Sequence, residues 1–154
     1  MAVTIAVESP LTDEVRTLIA ELNTVLLALS PPEACYHLTV EQMAEPTVTV
    51  WIARDGDTVV GCGALKRHSE TTGEVKRMFT RPAWQGQGIG QRILGEILSV
   101  AEREELTTLV LETGDQHPAA WAIYEKAGFT RCGPVLDYPA SPFSVFYQKQ
   151  LLAA

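Results

Sequence analysis

The chain has 154 residues, 46% of them hydrophobic and 20% charged, with 12 Lys+Arg against 19 Asp+Glu for a formal net charge of −7. That length suits one domain, residues 1–154, with a core that needs no staples. The acidic balance argues against general nucleic-acid binding, and Cys35, Cys62 and Cys132, far apart and in no ligand spacing, argue against a disulfide framework or a metal site and fit a reducing cytoplasm.

The first segment, Met1-Ala2-Val3-Thr4-Ile5, lacks the basic start of a secretory signal, so no export is expected. Thr12-Asp13-Glu14 reads as a helix start, with a polar cap and acids where the helix dipole is positive. Val15, Leu18, Ile19, Leu22, Val25, Leu26 and Leu29 then hold the spacing of an amphipathic helix, stopped by Ser30-Pro31-Pro32. The longest apolar run, Val25 to Leu29, is far too short to span a membrane. A short helix is expected around Thr39 to Ala44. Thr47 to Ala53 reads as a strand, turned by Asp55-Gly56-Asp57 into a second strand, Val59 to Leu65, and followed by a third, Glu74 to Thr80.

The second half changes character. Ile89, Ile93, Ile97, Val100 and Ala101 carry a helix to about Glu104, and Leu106 to Leu111 is a short apolar strand. Ala119 to Ala127 is a helix capped by Gly128, and Phe129 to Cys132 and Ser144 to Lys149 are the last strands. An antiparallel meander followed by strand–helix–strand–helix–strand implies a mixed α/β domain, one sheet covered by helices.

The most informative segment is Gln85-Gly86-Gln87-Gly88-Ile89-Gly90, between a strand and an amphipathic helix. A helix start carries unpaired N–H groups and partial positive charge, and glycines let a phosphate approach them, so the unit suits a pyrophosphate. Arg81 and Arg92 are placed to add charge. Two phosphate motifs fail on their details. A P-loop needs GxxxxGK[ST], which is absent, and a GxGxxG fingerprint meets Gln91 or Ile93 where its last glycine belongs.

The spacing Gln85-x-x-Gly88-x-Gly90 after Arg81-Pro82, together with Ile123-Tyr124-Glu125-Lys126-Ala127-Gly128-Phe129, resembles the two signatures of the GNAT acetyltransferase superfamily. The resemblance is strong over about residues 74 to 130. It implies a GNAT-like mixed sheet, acetyl-CoA as acetyl donor and transfer to an amine. It also implies that the strand before the loop splays from its neighbour, so that Met78, Phe79 and Thr80 offer main-chain contacts to the pantetheine arm. The amides of Gln85, Gly86, Gln87, Gly88, Ile89, Gly90 and Gln91 would hold the pyrophosphate. Leu111-Glu112-Thr113-Gly114 and Ser30-Pro31-Pro32-Glu33 followed by His37 resemble a small bacterial branch described as related to indoleacetate-type or amino-acid acetyltransferases.

Acetyl transfer needs a neutral attacking amine, a stabilised oxyanion and a proton for the departing thiolate. Tyr124 occupies the family's general-acid position, where a phenol of ordinary pKa about 10 is protonated at neutral pH. Its other reading is a core tyrosine on a helix face. Glu74, eleven residues before Gln85, matches the spacing of a general base in several members, although a strand-end glutamate is commonly just solvated. Glu33, His37, Glu112 and Tyr147 are candidates for the acceptor site. His117 stands where the family commonly has an asparagine touching pantetheine, and it also suits a helix cap. The expected activity is N-acetylation of a small amine, an amino acid or related metabolite, with no metal, no nucleic-acid partner and no membrane, and the resemblance allows a homodimer. A peptide or protein N-acetyltransferase, or a CoA-binding module without turnover, would use the same signatures.

Overall fold

The computed structural model describes residues 2–32 and 37–151; Glu33 and Cys35 lie outside the described residues. Seven strands form one sheet: β1 (Val3–Val7), β2 (Val48–Asp55), β3 (Thr58–Arg67), β4 (Thr72–Thr80), β5 (Thr108–Gly114), β6 (Thr130–Cys132) and β7 (Ser144–Gln150), in the order β1-β2-β3-β4-β5-β7-β6. Only β4 and β5 pair in parallel; the other neighbours are antiparallel. The helices are α1 (Asp13–Leu29), α2 (Val40–Met43), α3 (Ile89–Arg103) and α4 (Pro118–Lys126), with a 3₁₀ turn at Pro82–Trp84.

The expected elements form where the patterns place them, and β1 is added. It lies at the sheet edge with only Val3 buried among its residues, so it lacks the alternation that reveals a half-buried strand. Thr12 caps α1, its hydroxyl accepting from the Val15 amide at 3.3 Å with Asp13 and Glu14 in the first turn. Thr39 and Gln42 close a reciprocal capping box on α2.

Each face of the sheet is covered by a helix pair. Val15, Leu18, Ile19 and Leu22 of α1, with Met43, pack on Val50, Ile52, Cys62 and Ala64. On the other face Ile89, Ile93, Leu94, Ile97 and Ala101 of α3 pack with Trp51, Val60, Leu65, Val75, Leu109 and Leu111. Fully burying an Ile or Leu side chain is worth about 1.5–3 kcal/mol, so the α3 stripe anchors that helix and fixes the position of its N-terminus. That terminus is what the site requires.

Candidate active site

The sheet opens where its direction changes. β4 and β5 pair only over Thr72–Glu74 and Thr108–Val110, and beyond that the two strands are no longer partners. A cleft of about 100 Å³ lies in this region, lined by residues 75–78 of β4, 112–114 of β5, Leu22 and Leu26 of α1, Ser30, His37, His117 and Tyr124. Parting of parallel strands at a switch in strand order is a recurrent origin of ligand crevices.

A bulge shapes the β4 wall. The pairing of β3 with β4 slips between Cys62 and Ala64, and Arg77 adopts φ 57, a left-handed conformation uncommon outside glycine. Gly63 faces the slip, and a Cβ there would sit 2.6 Å from both Ile93 Cγ2 and Met78 Sδ. The bulge therefore needs a glycine opposite it. The Cys62 thiol donates to the Arg77 carbonyl at 3.1 Å, and burial pushes its pKa up to about 12.

The glycine loop enters α3 through two left-handed residues, Gly86 at φ 80 and Gly88 at φ 81. Gly88 is the N-cap, and no side chain caps the helix. A Cβ on Gly86 or Gly88 would meet nothing within 4 Å, so packing does not explain these glycines and backbone conformation does. The first-turn amides of α3 are left as donors beside the positive end of the dipole, the arrangement that holds an anion. Gln85 closes the approach, its side-chain amide donating to the Thr80 carbonyl at 2.9 Å. The two arginines do not supply charge here. Arg81 is paired with Glu21 at 2.7 Å and also donates to the Val59 carbonyl, and Arg92 donates to the Val3 carbonyl at 3.0 Å.

Tyr124 on α4 is 6% exposed, packed edge-on to Phe129 with ring centroids 6.0 Å apart. It lines the cleft, and its hydroxyl makes no hydrogen bond with the described residues. Burial, and then the Glu112 carboxylate, hold its pKa above the usual phenol range. Glu112 lines the same cleft, and the Ser144 hydroxyl donates to its Oε2 at 2.8 Å. Its pKa is raised, first by burial and then by Glu74, against lowering by the Ser144 hydrogen bond and Lys76. A protonated phenol and a carboxylate more basic than usual thus share one cavity, a pairing that serves acid–base chemistry.

The remaining expected site residues divide. Glu74 is 2% exposed and saturated: His68 Nε2 lies 2.7 Å from Oε1, while Lys76 Nζ at 3.2 Å and the Tyr138 hydroxyl at 2.5 Å meet Oε2. It stands behind the cleft wall, not in it. Tyr147, expected at the acceptor site, points the other way. Alternation along β7 sends it to the α3–α4 face, 0% exposed, with its hydroxyl donating to Glu125 at 2.6 Å and accepting from Arg131 at 3.1 Å. His37 and His117 both line the cleft, each with a buried ring nitrogen lacking a hydrogen-bond partner, Nδ1 and Nε2 respectively. Both have lowered pKa values with burial as the main cause, so both are neutral and able to accept or donate. His117 is also the residue preceding α4 at its N-cap. Met78 lines the cleft, whereas Phe79 and Thr80 pair with Cys62 and Gly61.

Lys76 and Arg77 are cleft residues that sequence reasoning did not single out. Two adjacent cations inside an otherwise half-apolar strand were the available signal. The register slip beside them, which neither strand's own sequence marks, leaves both lining the cleft.

The cleft, the open glycine turn and the orphaned ring nitrogens together fit a CoA thioester. Among the described residues no group of three or more His, Cys, Asp or Glu is arranged to hold a metal, and no helix is long and apolar enough to cross a membrane. The chain matches the acetyltransferase (GNAT) family over residues 15–129. It is 43% identical over 150 residues to an IAA acetyltransferase of Azospirillum brasilense, covering 97% of this chain and 98% of the relative. A solved structure from Klebsiella pneumoniae subsp. pneumoniae MGH 78578, described as an acyl-CoA N-acyltransferase, superimposes with a TM-score of 0.81 at 31% identity, covering 97% of this chain and 98% of that one. An acetyltransferase from Salmonella typhimurium, solved with its cofactor acetyl-CoA, shares the fold with a TM-score of 0.72 at 18% identity, covering 100% of this chain and 96% of that one.

Proposed function

Because this chain belongs to the GNAT acetyltransferase family and is an acetyl-CoA-dependent N-acetyltransferase, we propose that it acetylates the amine of a small molecule, an amino acid or related metabolite, with Tyr124 as general acid and Glu112 as general base. The observation that carries this reading is the pairing of Tyr124 and Glu112 in one small cleft, where the strands part. When bound, acetyl-CoA supplies an activated acetyl group at that cleft.

The chain's own residues do the rest. Amides of Gly86 to Gln91 bind the pyrophosphate through the uncapped α3 terminus, the Gln85 amide being already given to the Pro82 carbonyl. The main chain of Met78 to Thr80 and the neutral ring of His117 orient the pantetheine arm. The Tyr124 hydroxyl, uncommitted and protonated, gives its proton to the departing sulfur. Glu112 receives the proton that the attacking amine loses, and its raised pKa makes it a better acceptor than an ordinary carboxylate. Its Ser144 hydrogen bond fixes which oxygen stays free. We assign Glu74 a positioning role: with all its partners made inside the protein, it holds Lys76 against the cleft. A cavity of about 100 Å³ suits a compact acceptor better than an extended peptide.

The test is product formation. Acetyl-CoA is incubated with the protein and a panel of small amines, free amino acids and short peptides, with thiol release followed and products resolved by mass. Acetylated small amines support the reading. Turnover of peptides alone, or tight CoA binding with no turnover of any amine, contradicts it.

A further inference from the structure

The charges around the cleft do not balance at one end. Arg77 is 7% exposed, yet no acid among the described residues forms an ion pair with it. Its Nη2 donates to Asn23 Oδ1 on α1, and its Nε is buried with no partner at all. A buried guanidinium without a counter-ion has lost its hydration and received little in return. Burial accordingly draws its pKa from 12.5 down to about 10, which still leaves a cation at neutral pH. Arg77 also holds a strained left-handed backbone conformation, φ 57, at this position. Such strain, kept together with an unmatched buried charge, is characteristic of binding sites.

The unmatched cation lines the same cleft as the acid–base pair. The charged groups that act on Glu112 are Lys76 and Glu74, with the Ser144 hydroxyl donating a hydrogen bond to it, and neither charged group is among those that act on Arg77. Lys76 is already met by Glu74. His37, which feels both Arg77 and Lys76 and is kept neutral, lines the space with its Nδ1 unpartnered. The cleft therefore offers both a cation at Arg77 and a proton acceptor at Glu112.

We propose that Arg77 binds a carboxylate of the acceptor, so that the substrate is an amino acid held with its carboxylate at Arg77 and its amine toward Glu112. This rests on the acetyltransferase reading above and adds the group by which the acceptor is recognised. An anion at Arg77 supplies the counter-charge that the fold omits, and a charge-assisted hydrogen bond to Nε satisfies its orphaned donor. A neutral isostere leaves the guanidinium buried and unpaired, which is the strongest basis for rejection a small pocket has.

The experiment compares each free L-amino acid that is turned over with its primary amide, and with the amine lacking the carboxyl group. The wild-type protein is expected to favour the acid over the amide in kcat/KM by on the order of 10- to 100-fold, mainly through KM. In Arg77→Gln that ratio falls to near one, and Arg77→Lys restores part of it. Equal rates on acid and amide with the wild-type protein, or an undiminished ratio in Arg77→Gln, overturn the inference while leaving acetyl transfer intact. A second measurement does not depend on turnover or on the folding of Arg77→Gln. Calorimetry of N-acetyl amino acids and their amides against the CoA-saturated wild-type protein is expected to show binding of the acids alone. Binding of both equally, or of neither, overturns the inference. Absence of thiol release with every amine instead removes the function on which it is built.

Discussion

Replacing Gly88 with leucine separates the two demands on the glycine loop, and the structure sets both magnitudes. Gly88 has φ 81, and a Cβ there would touch nothing within 4 Å. The substitution therefore costs backbone strain but no clash, about 1–2 kcal/mol for an L-residue in the left-handed region. For a chain of this size that lowers Tm by about 2–8 °C and leaves the fold in place. CoA binding suffers differently. The side chain projects into the open space over the α3 terminus, where the pyrophosphate must approach the amides, and losing one such charge-assisted hydrogen bond costs about 1.5–3 kcal/mol, or roughly 10- to 100-fold in Kd. Gly95→Ala is the control. It lies within α3, one turn beyond Gln91, also with nothing within 4 Å of its Cβ. Helix propensity predicts a gain of about 0.8–1 kcal/mol and an unaltered Kd. Calorimetric titration with CoA, beside thermal melts of both variants, makes the comparison. An unchanged CoA affinity in Gly88→Leu, with the melt confirming a folded protein, would refute the assignment of this loop to the pyrophosphate.

Four further substitution outcomes separate the roles of these side chains. In Glu112→Gln the acidic limb of the kcat/KM profile disappears, whereas Glu74→Gln keeps it; the reverse pattern in a pH–rate series would return the base to Glu74. The Glu112 pKa is raised in the folded state, so its ionisation opposes folding once the pH passes its unfolded value, and Glu112→Gln is expected to raise Tm at pH 7 but not at pH 4, as scanning calorimetry reads. Glu74→Gln destabilises by about 3–5 kcal/mol in urea titrations, because a buried carboxylate with His68, Lys76 and Tyr138 as partners is removed while their polar groups stay. Tyr147→Phe lowers stability by about 1–2 kcal/mol through its Glu125 and Arg131 hydrogen bonds and leaves kcat unchanged in the thiol-release assay.

Much of this was legible in the residues, and the rest was hidden for physical reasons. The α3 stripe Ile89, Ile93, Ile97 and Ala101 and the glycines before it are local patterns, so helix, loop and candidate anion site could be read together. Tyr124 was legible for the same reason, being one turn from Gly128 in a contiguous signature. Tyr147 was not, because its side depends on which face β7 turns to α3 and α4, and a single strand does not carry that information. The proposal of Glu112 rather than Glu74 as base has a similar origin. Both lie on the same face of adjacent parallel strands, but the strands part just after Glu74, so one carboxylate is sealed by neighbours and the other faces the opening. Arg77 depended on a bulge, a register fault between two strands that leaves no mark in either one. The edge strand β1 escaped notice because most of it is never buried.

The proposed reaction turns on proton transfer to the departing sulfur from a hydroxyl that the protein otherwise leaves uncommitted. Tyr124→Phe removes that hydroxyl alone, deletes no hydrogen bond among the described residues and retains the ring packing on Phe129. The direct measurement is kcat for thiol release with a saturating amine acceptor, with CoA affinity determined in parallel. A fall in kcat of about 10²- to 10⁴-fold with CoA affinity preserved is the predicted result. A kcat equal to that of the wild-type protein would contradict it.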